Sequence, residues 1–281
     1  MKIVELLRRA VEGRLEPGEE TLGYVHPSTL AQGCLLAVGH ELLRHPRAEP
    51  GARRRRIMEA GVHSHERIMG YLRPFIVARE LPFMEPELRI RGRCDALLYI
   101  PPEAGVEEPG FYALEVKTIG SVGFAEVRAQ GSPKPEHLRQ CLLYQRGLRR
   151  FYGVPVRGGI VYYENRDTLE YRIFSVDYDE EGLAELLGKL PEVIALAREG
   201  RLPEGEGYRL PADHWAHRYC PYLPLCPHGQ EAAAAAKGGI PPAVKARIIT
   251  QRIIKKERGN REKGRRRERS LEELAREFGW E

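Results

Sequence analysis

An α/β fold, with a mixed central sheet flanked by helices, is what this sequence predicts. Three observations carry the expectation. Apolar residues recur at helical spacing early in the chain and again around 136–152, they alternate at period two through the middle, and a 42% hydrophobic content can bury a core under both kinds of element. At 281 residues there is room for one large domain or two modest ones, which excludes long solenoids and many-domain machines.

The elements follow in order. Residues 2–13 form a short amphipathic helix closed by Leu15-Glu16-Pro17-Gly18. Ser28 or Thr29 is suited to cap a helix running through Cys34 towards Leu43. A second helix, about 53–72, carries Ile57, Ala60, His65, Ile68 and Leu72 at near-helical spacing and sets His65 on or beside its inward face. Residues 87–100 read as a hairpin or two strands around Gly92, and 111–117 as a strand bounded by Pro109-Gly110 and Gly120. Helix returns at about 136–152. Strands at 159–164 and 170–176 meet in a hairpin at Asn165-Arg166-Asp167, and a helix over 180–198 is expected to kink at Pro191. Residues 200–229 are loop-like and rich in Pro, His and Cys; the remainder is basic, and 270–278 reads as a capped amphipathic helix.

Charge is unevenly placed. Of 45 basic and 40 acidic side chains, 13 and 7 lie from residue 240 onward, so the tail carries +6 of the formal +5 and residues 1–239 carry −1. A near-neutral globule with a basic extension suits a polyanionic partner, although a solvated tail has the same composition. Asn occurs only at 165 and 260, a depletion that a thermophile or a GC-rich genome would both produce. No apolar run approaches the roughly 20 residues that span a bilayer. Charge interrupts Met1-Lys2-Ile3-Val4-Glu5 too early for a signal-peptide core, so a cytoplasmic chain with no membrane partner is expected. Five cysteines, at 34, 94, 141, 220 and 226, argue against a disulfide framework and leave a metal site or buried thiols.

The strongest local signal is Glu115-Val116-Lys117, where an acid and an amine point to the same side of an apolar strand. Alone, the tripeptide reads equally well as an ion pair on a solvent-exposed face. Gly92-Arg93-Cys94-Asp95 changes that, because Asp95 falls beside Glu115 on an antiparallel neighbour and two adjacent carboxylates repel unless a cation lies between them. Mg²⁺ suits such oxygens, and a nitrogen from His65 suits Mn²⁺ as well. Lys117 beside a metal can orient or deprotonate water, so the chemistry implied is phosphodiester hydrolysis. Further along, Gln140 and Tyr144 share one helix face, with Arg139 alongside.

His65, Gly92-x-x-Asp95, Glu115-x-Lys117 and Gln140-x-x-x-Tyr144, in that order, resemble the RecB-like branch of the PD-(D/E)XK nucleases over residues 22–228. The resemblance implies a restriction-endonuclease-like α/β/α core. It implies metal ligation by His65, Asp95, Glu115 and the Val116 carbonyl, a water-activating Lys117, and Gln140 and Tyr144 in contact with DNA or supporting the active site. Within the branch, CRISPR-associated RecB-like exonucleases and AddB-type nuclease domains hold an iron-sulfur cluster on one early Cys and a late Cys-x2-Cys-x5-Cys group. Cys34, Cys220 and Cys226 fit, with His217 where the first late Cys would stand and His214 or His228 as substitutes. The implied group is a [4Fe-4S] cluster, with Zn²⁺ the alternative for the same ligand set, clamping a small helical subdomain. Cys94, alternating away from Asp95, and Cys141 read as buried structural thiols.

The division expected is a helical part over 1–52, a nuclease core over 53–199, a His/Cys segment over 200–239 and a basic tail over 240–281. Arg139 and the tail residues Lys255, Lys256, Arg265, Arg266 and Arg267 are the candidate DNA contacts. The resulting expectation is a metal-dependent exonuclease on single-stranded DNA ends, in recombination, end processing or CRISPR adaptation beside integration proteins. Its rivals are a DNA-binding assembly subunit that works through partners and a zinc-stabilised structural protein. No Gly-x4-Gly-Lys-Ser/Thr phosphate loop is present.

Overall fold

The computed structural model describes residues 22–226 and 228–230. The helices expected at 2–13 and 270–278 and the tail residues Lys255, Lys256, Arg265, Arg266 and Arg267 lie outside the described residues.

Five strands form one sheet in sequence order: β1 (Ile76–Glu85), β2 (Ile90–Ile100), β3 (Gly110–Ile119), β4 (Val156–Asn165) and β5 (Tyr171–Asp177). Only β3 and β4 are parallel; the other three pairings are antiparallel. A parallel pair needs a crossover, which α4 (Ser121–Gln130) and α5 (Pro135–Tyr152) supply. Ahead of the sheet come α1 (Pro27–Leu30), α2 (Leu35–Leu42) and α3 (Ala52–Leu72), and after it α6 (Glu180–Leu187) and α7 (Leu190–Arg198).

Alternation along the strands builds two cores. On one face Ala113, Val161 and Tyr163 pack with Cys141, Leu142 and Leu148 of α5, and Leu30, Val38 and Leu42 join the same cluster. On the other, Leu114, Val116 and Tyr162 pack with Ile68 and Met69 of α3. The result is the expected three-layer α/β/α arrangement around a mixed sheet. Glycines let the larger layer close in: a Cβ on Gly159 would stand 2.2 Å from the Cys141 sulfur, and one on Gly92 or on Gly147 would stand 2.4 Å from the Phe83 ring.

Several elements differ from expectation. The helix expected through Cys34 is broken at Gly33, which has φ +80°, into α1 and α2, and His26 rather than Ser28 or Thr29 occupies the N-cap of α1. The break leaves Cys34 at the N-cap of α2. The first hairpin turns at 86–89, not at Gly92, which lies inside β2 beneath Phe83. Neither β1 nor α4 falls within an element expected from the sequence. The helix over 180–198 is interrupted rather than kinked, with Pro191 in the first turn of α7, where a missing N–H costs nothing.

Candidate active site and cysteine cluster

Strand β3 is central, and its register decides the site. The β2–β3 ladder runs from Ile100↔Gly110 to Ala96↔Leu114 and stops there. Beyond it, Asp95 replaces the ladder, its Oδ2 accepting the Val116 N–H at 2.8 Å. The pleat also breaks here. Cys94 and Ala96, two residues apart, would share a face in a regular strand, yet they belong to opposite cores. Opposite Asp95, Glu80 takes φ +53°. Local irregularities of this kind re-aim side chains beside functional sites. The Cys94 thiol lies 3.2 Å from the Ala96 carbonyl, and its pKa is raised by burial first and then by the neighbouring Asp95 charge. Cys94 and Cys141 are fully buried, in keeping with structural thiols.

The N–H and C=O of one strand residue point to the same edge, so the Val116 carbonyl also faces the end of the β2 ladder. There His65 Nε2 lies 2.9 Å from it. His65 comes from α3 on one face and Glu115 from the other, and they meet around the Val116 peptide. Glu115 is fully buried and ion-paired with Lys117. The pair is thus not the solvent-exposed one that the tripeptide alone allows.

Burial pushes the Asp95 carboxyl up to about 6 and the Glu115 carboxyl up to about 7, with Asp95 adding to the rise at Glu115. Burial would lower Lys117, but the Glu115 charge outweighs it and the amine stays above its ordinary value. Apart from the ion pair with Lys117, both Glu115 oxygens are buried without a hydrogen bond. Acceptor oxygens left over beside a second carboxylate and an imidazole suit a hard divalent cation in donor type. As they stand, no three His, Cys, Asp or Glu side chains among the described residues converge closely enough to hold an ion.

Helix α5 closes the back of the site. Gln140 Nε2 donates to the Tyr144 hydroxyl at 2.8 Å, and both residues are buried. Burial, then the charges of Glu115 and Asp95, raise the Tyr144 phenol. Two α5 residues that sequence reasoning missed join them. Glu136, one turn before Gln140 on the same row, lies within electrostatic reach of Lys117. His137 Nδ1 is 2.7 Å from the Tyr163 hydroxyl, and burial followed by the charge of Lys117 lowers its imidazole to about 3. Extending the Gln140–Tyr144 spacing one turn back would have found Glu136; Tyr163 could not be found without the pairing Lys117↔Tyr163. Arg139, the candidate DNA contact on this helix, donates through Nε to the Ala31 carbonyl at 2.6 Å and so ties α5 to α1.

A second site lies against α2. Cys34, His217, Cys220, Cys226 and His228 line one small cavity, together with His40 and Tyr222. Each thiol sits in a turn of backbone N–H groups: Cys34 faces those of Leu36 and Ala37, Cys220 those of Tyr222 and Leu223, and Cys226 accepts from Gly229 at 3.2 Å. Amide donors two and three residues beyond Cys34 and Cys220, and three beyond Cys226, favour a thiolate. Burial outweighs them at Cys34 and Cys220, whose thiols remain raised. His217 and His228 place their Nε2 atoms 2.9 and 3.0 Å from the carbonyls of Pro211 and Leu210, while His214 Nδ1 accepts from the Ala216 N–H. The segment is joined to the chain's early part by the Ala48 N–H to Pro221 carbonyl bond of 2.8 Å and by His40 stacked on Tyr222.

Residues 5–227 match the family model of the PD-(D/E)XK nuclease superfamily. No curated protein matches the chain. Among solved structures the chain is similar to an alkaline exonuclease from Laribacter hongkongensis, at 17% identity over 64% of this chain and 90% of that one, with a TM-score of 0.45. The same enzyme in complex with dAMP gives 16% identity over 64% and 90%, with a TM-score of 0.47. The structure of SSO0001 gives 17% identity over 82% of this chain and 98% of the other, with a TM-score of 0.42.

Proposed function

The chain belongs to the PD-(D/E)XK nuclease superfamily, and from that premise we propose a metal-dependent deoxyribonuclease that hydrolyses phosphodiester bonds at single-stranded DNA ends. The observation that carries the reading is Glu115, fully buried, with two oxygens that have only Lys117 for company and Asp95 close by. Nucleases of this superfamily generally use divalent metals such as Mg²⁺ or Mn²⁺. His65, Asp95, Glu115 and the Val116 carbonyl would hold the ion. When bound, it supplies an acidic water and neutralises charge developing at phosphorus.

The chain's own residues do the rest. Lys117 orients the attacking water and holds positive charge beside the developing phosphorane oxygens. The carboxylates of Asp95 and Glu115 keep that amine protonated. Gln140 and Tyr144, too buried to lie on the strand, brace the floor of the site and exclude water behind Glu115. Preference for single strands and for ends follows the motif resemblance, as does a role in recombination, end processing or CRISPR adaptation with integration proteins. Among the described residues no helix is long and apolar enough to cross a membrane, which suits the cytoplasmic action proposed here.

We further assign Cys34, Cys220, Cys226 and His217 to a [4Fe-4S] cluster that fastens residues 210–230 to α2. The amide donors aimed at each sulfur support it. One preparation tests both sites: anaerobic purification with iron, sulfide and zinc analysis, then incubation with end-labelled single-stranded DNA in Mn²⁺, Mg²⁺ or EDTA. Cleavage with Mn²⁺ or Mg²⁺ and none in EDTA is expected, lost in Asp95→Ala, Glu115→Ala and Lys117→Ala. Zinc without iron would replace the cluster but keep the nuclease. Absence of cleavage with every metal would leave a DNA-binding assembly subunit.

A further inference from the structure

Trp215 and Tyr219 are large aromatic side chains that the fold leaves in the open, 46% and 56% exposed, on a short helical turn otherwise anchored by the buried His217. Leaving so much apolar surface in water is unfavourable unless something covers it. Both line a groove of about 540 Å³ that also takes in Thr29, Gln32, Arg54 and Met58 and borders Cys34, His217 and Cys220 of the cysteine site, within the roughly 300–1,000 Å³ of small-ligand clefts.

The far wall is α3, in which residues 52–60 are exposed on every side, including Arg53, Arg54, Arg55 and Arg56. A helix segment that buries no face and opens with four guanidinium groups is a phosphate-binding surface more than a packing element. Arg54 bridges the two walls, donating to the Tyr219 carbonyl at 3.1 Å with its guanidinium 5.8 Å from the Tyr219 ring. Trp215 and Tyr219 stand 6.0 Å apart, and the His214 ring lies 5.5 Å from Trp215. Gln32 adds a side-chain oxygen that is shielded from solvent and accepts no hydrogen bond.

The groove adjoins the catalytic centre. The α3 wall runs on into it: a Cβ on Gly61 would stand 3.4 Å from the Thr118 hydroxyl of β3, and His65, one turn further along α3, lies 2.9 Å from the Val116 carbonyl. Rings beside a guanidinium group, one step from the candidate cleavage site, match what an unpaired strand presents: flat bases on one side and phosphates on the other.

We infer that this groove is a stacking subsite for single-stranded DNA, in which Trp215, backed by Tyr219, takes a base of the strand adjacent to the cleaved bond while Arg54 holds a neighbouring phosphate. The inference rests on the nuclease reading for its substrate class. A duplex cannot use the rings, because its bases are already stacked on one another, so the subsite would select for unpaired DNA.

The test uses full-length protein carrying Trp280→Phe, which leaves Trp215 as the single tryptophan. Oligo-dT is titrated in EDTA, so nothing is cut, while tryptophan emission is followed. Quenching by oligo-dT, little quenching by an abasic strand of the same length and charge, and binding weakened roughly five- to a hundred-fold by Trp215→Ala are expected, with Trp215→Phe restoring most of the affinity. Equal quenching and affinity for the abasic strand, or unchanged binding in a folded Trp215→Ala protein, overturns the inference. If Trp215→Ala does not fold, the abasic comparison in the Trp280→Phe protein decides alone. Cleavage by the wild type with Mn²⁺ is scored separately, so a protein that cuts but does not stack fails only this inference.

Discussion

Two glutamates buried in the same fold, Glu41 on α2 and Glu115 on β3, meet opposite treatment. Glu41 accepts from His26 Nδ1 at 2.8 Å, from the His26 N–H at 3.3 Å and from Arg47 at 2.5 Å. Burial alone would raise its carboxyl, but these partners hold it below the ordinary value. Glu115 is more deeply buried, has one cation beside it and a second carboxylate nearby, and is driven up to about 7. A buried carboxylate with its lone pairs filled is architecture. One whose oxygens are left over, at a cost in folding free energy, is reserved for something that arrives later. The contrast marks Glu115 as the candidate active-site carboxylate by physics that does not depend on the motif.

The largest effect expected from breaking the contrast is in catalysis. Glu115→Gln should lower cleavage by about 10³-fold or more in a protein with unchanged circular dichroism, whereas Glu41→Gln should stay within a few-fold of wild type. Equal losses in a gel assay on labelled single-stranded DNA would show that the two carboxylates do not differ in kind. Next comes the cysteine segment, held by 3₁₀ turns and few long-range hydrogen bonds. Cys226→Ser should lose bound metal and expose residues 200–230 to protease while the sheet persists, read by metal analysis and limited proteolysis. A third test probes packing behind the site. Gly147→Ala would push a methyl into the Phe83 ring, and overpacking of this kind costs about 1–3 kcal/mol, seen as a fall of several degrees in Tm.

How much of this was legible in sequence depends on the range of the forces involved. The α3 and α5 spans and the β4–β5 hairpin are local patterns, and their ends fall within a few residues of the elements found. The candidate catalytic pair Glu115 and Lys117 stood out because a carboxylate and an amine at period two conflict with an apolar strand. The sharper facts were not. Gly92 looks like a turn residue, yet it is a strand glycine because Phe83 presses on it from β1. The interrupted pleat at Asp95 depends on where the β2–β3 ladder ends, which is a matter of register between strands. The Arg139 bond to the Ala31 carbonyl likewise depends on the approach of α1, which no local pattern encodes.

The smallest effect tests the other half of the contrast. Because the folded state holds Glu41 below its unfolded value of 4.5, its ion pairs contribute stability above that pH, and the contribution disappears as pH falls through the depressed folded value. Arg47 and His26 are half exposed, with side-chain accessibilities of 49% and 52%, so solvent screening reduces the gain to about 1 kcal/mol. Wild type should therefore melt a few degrees above Glu41→Gln at pH 7, and the two curves should converge towards pH 3. A difference that persists undiminished in acid would mean that Glu41 acts through shape rather than charge. Electrostatic satisfaction would then no longer be what separates it from Glu115.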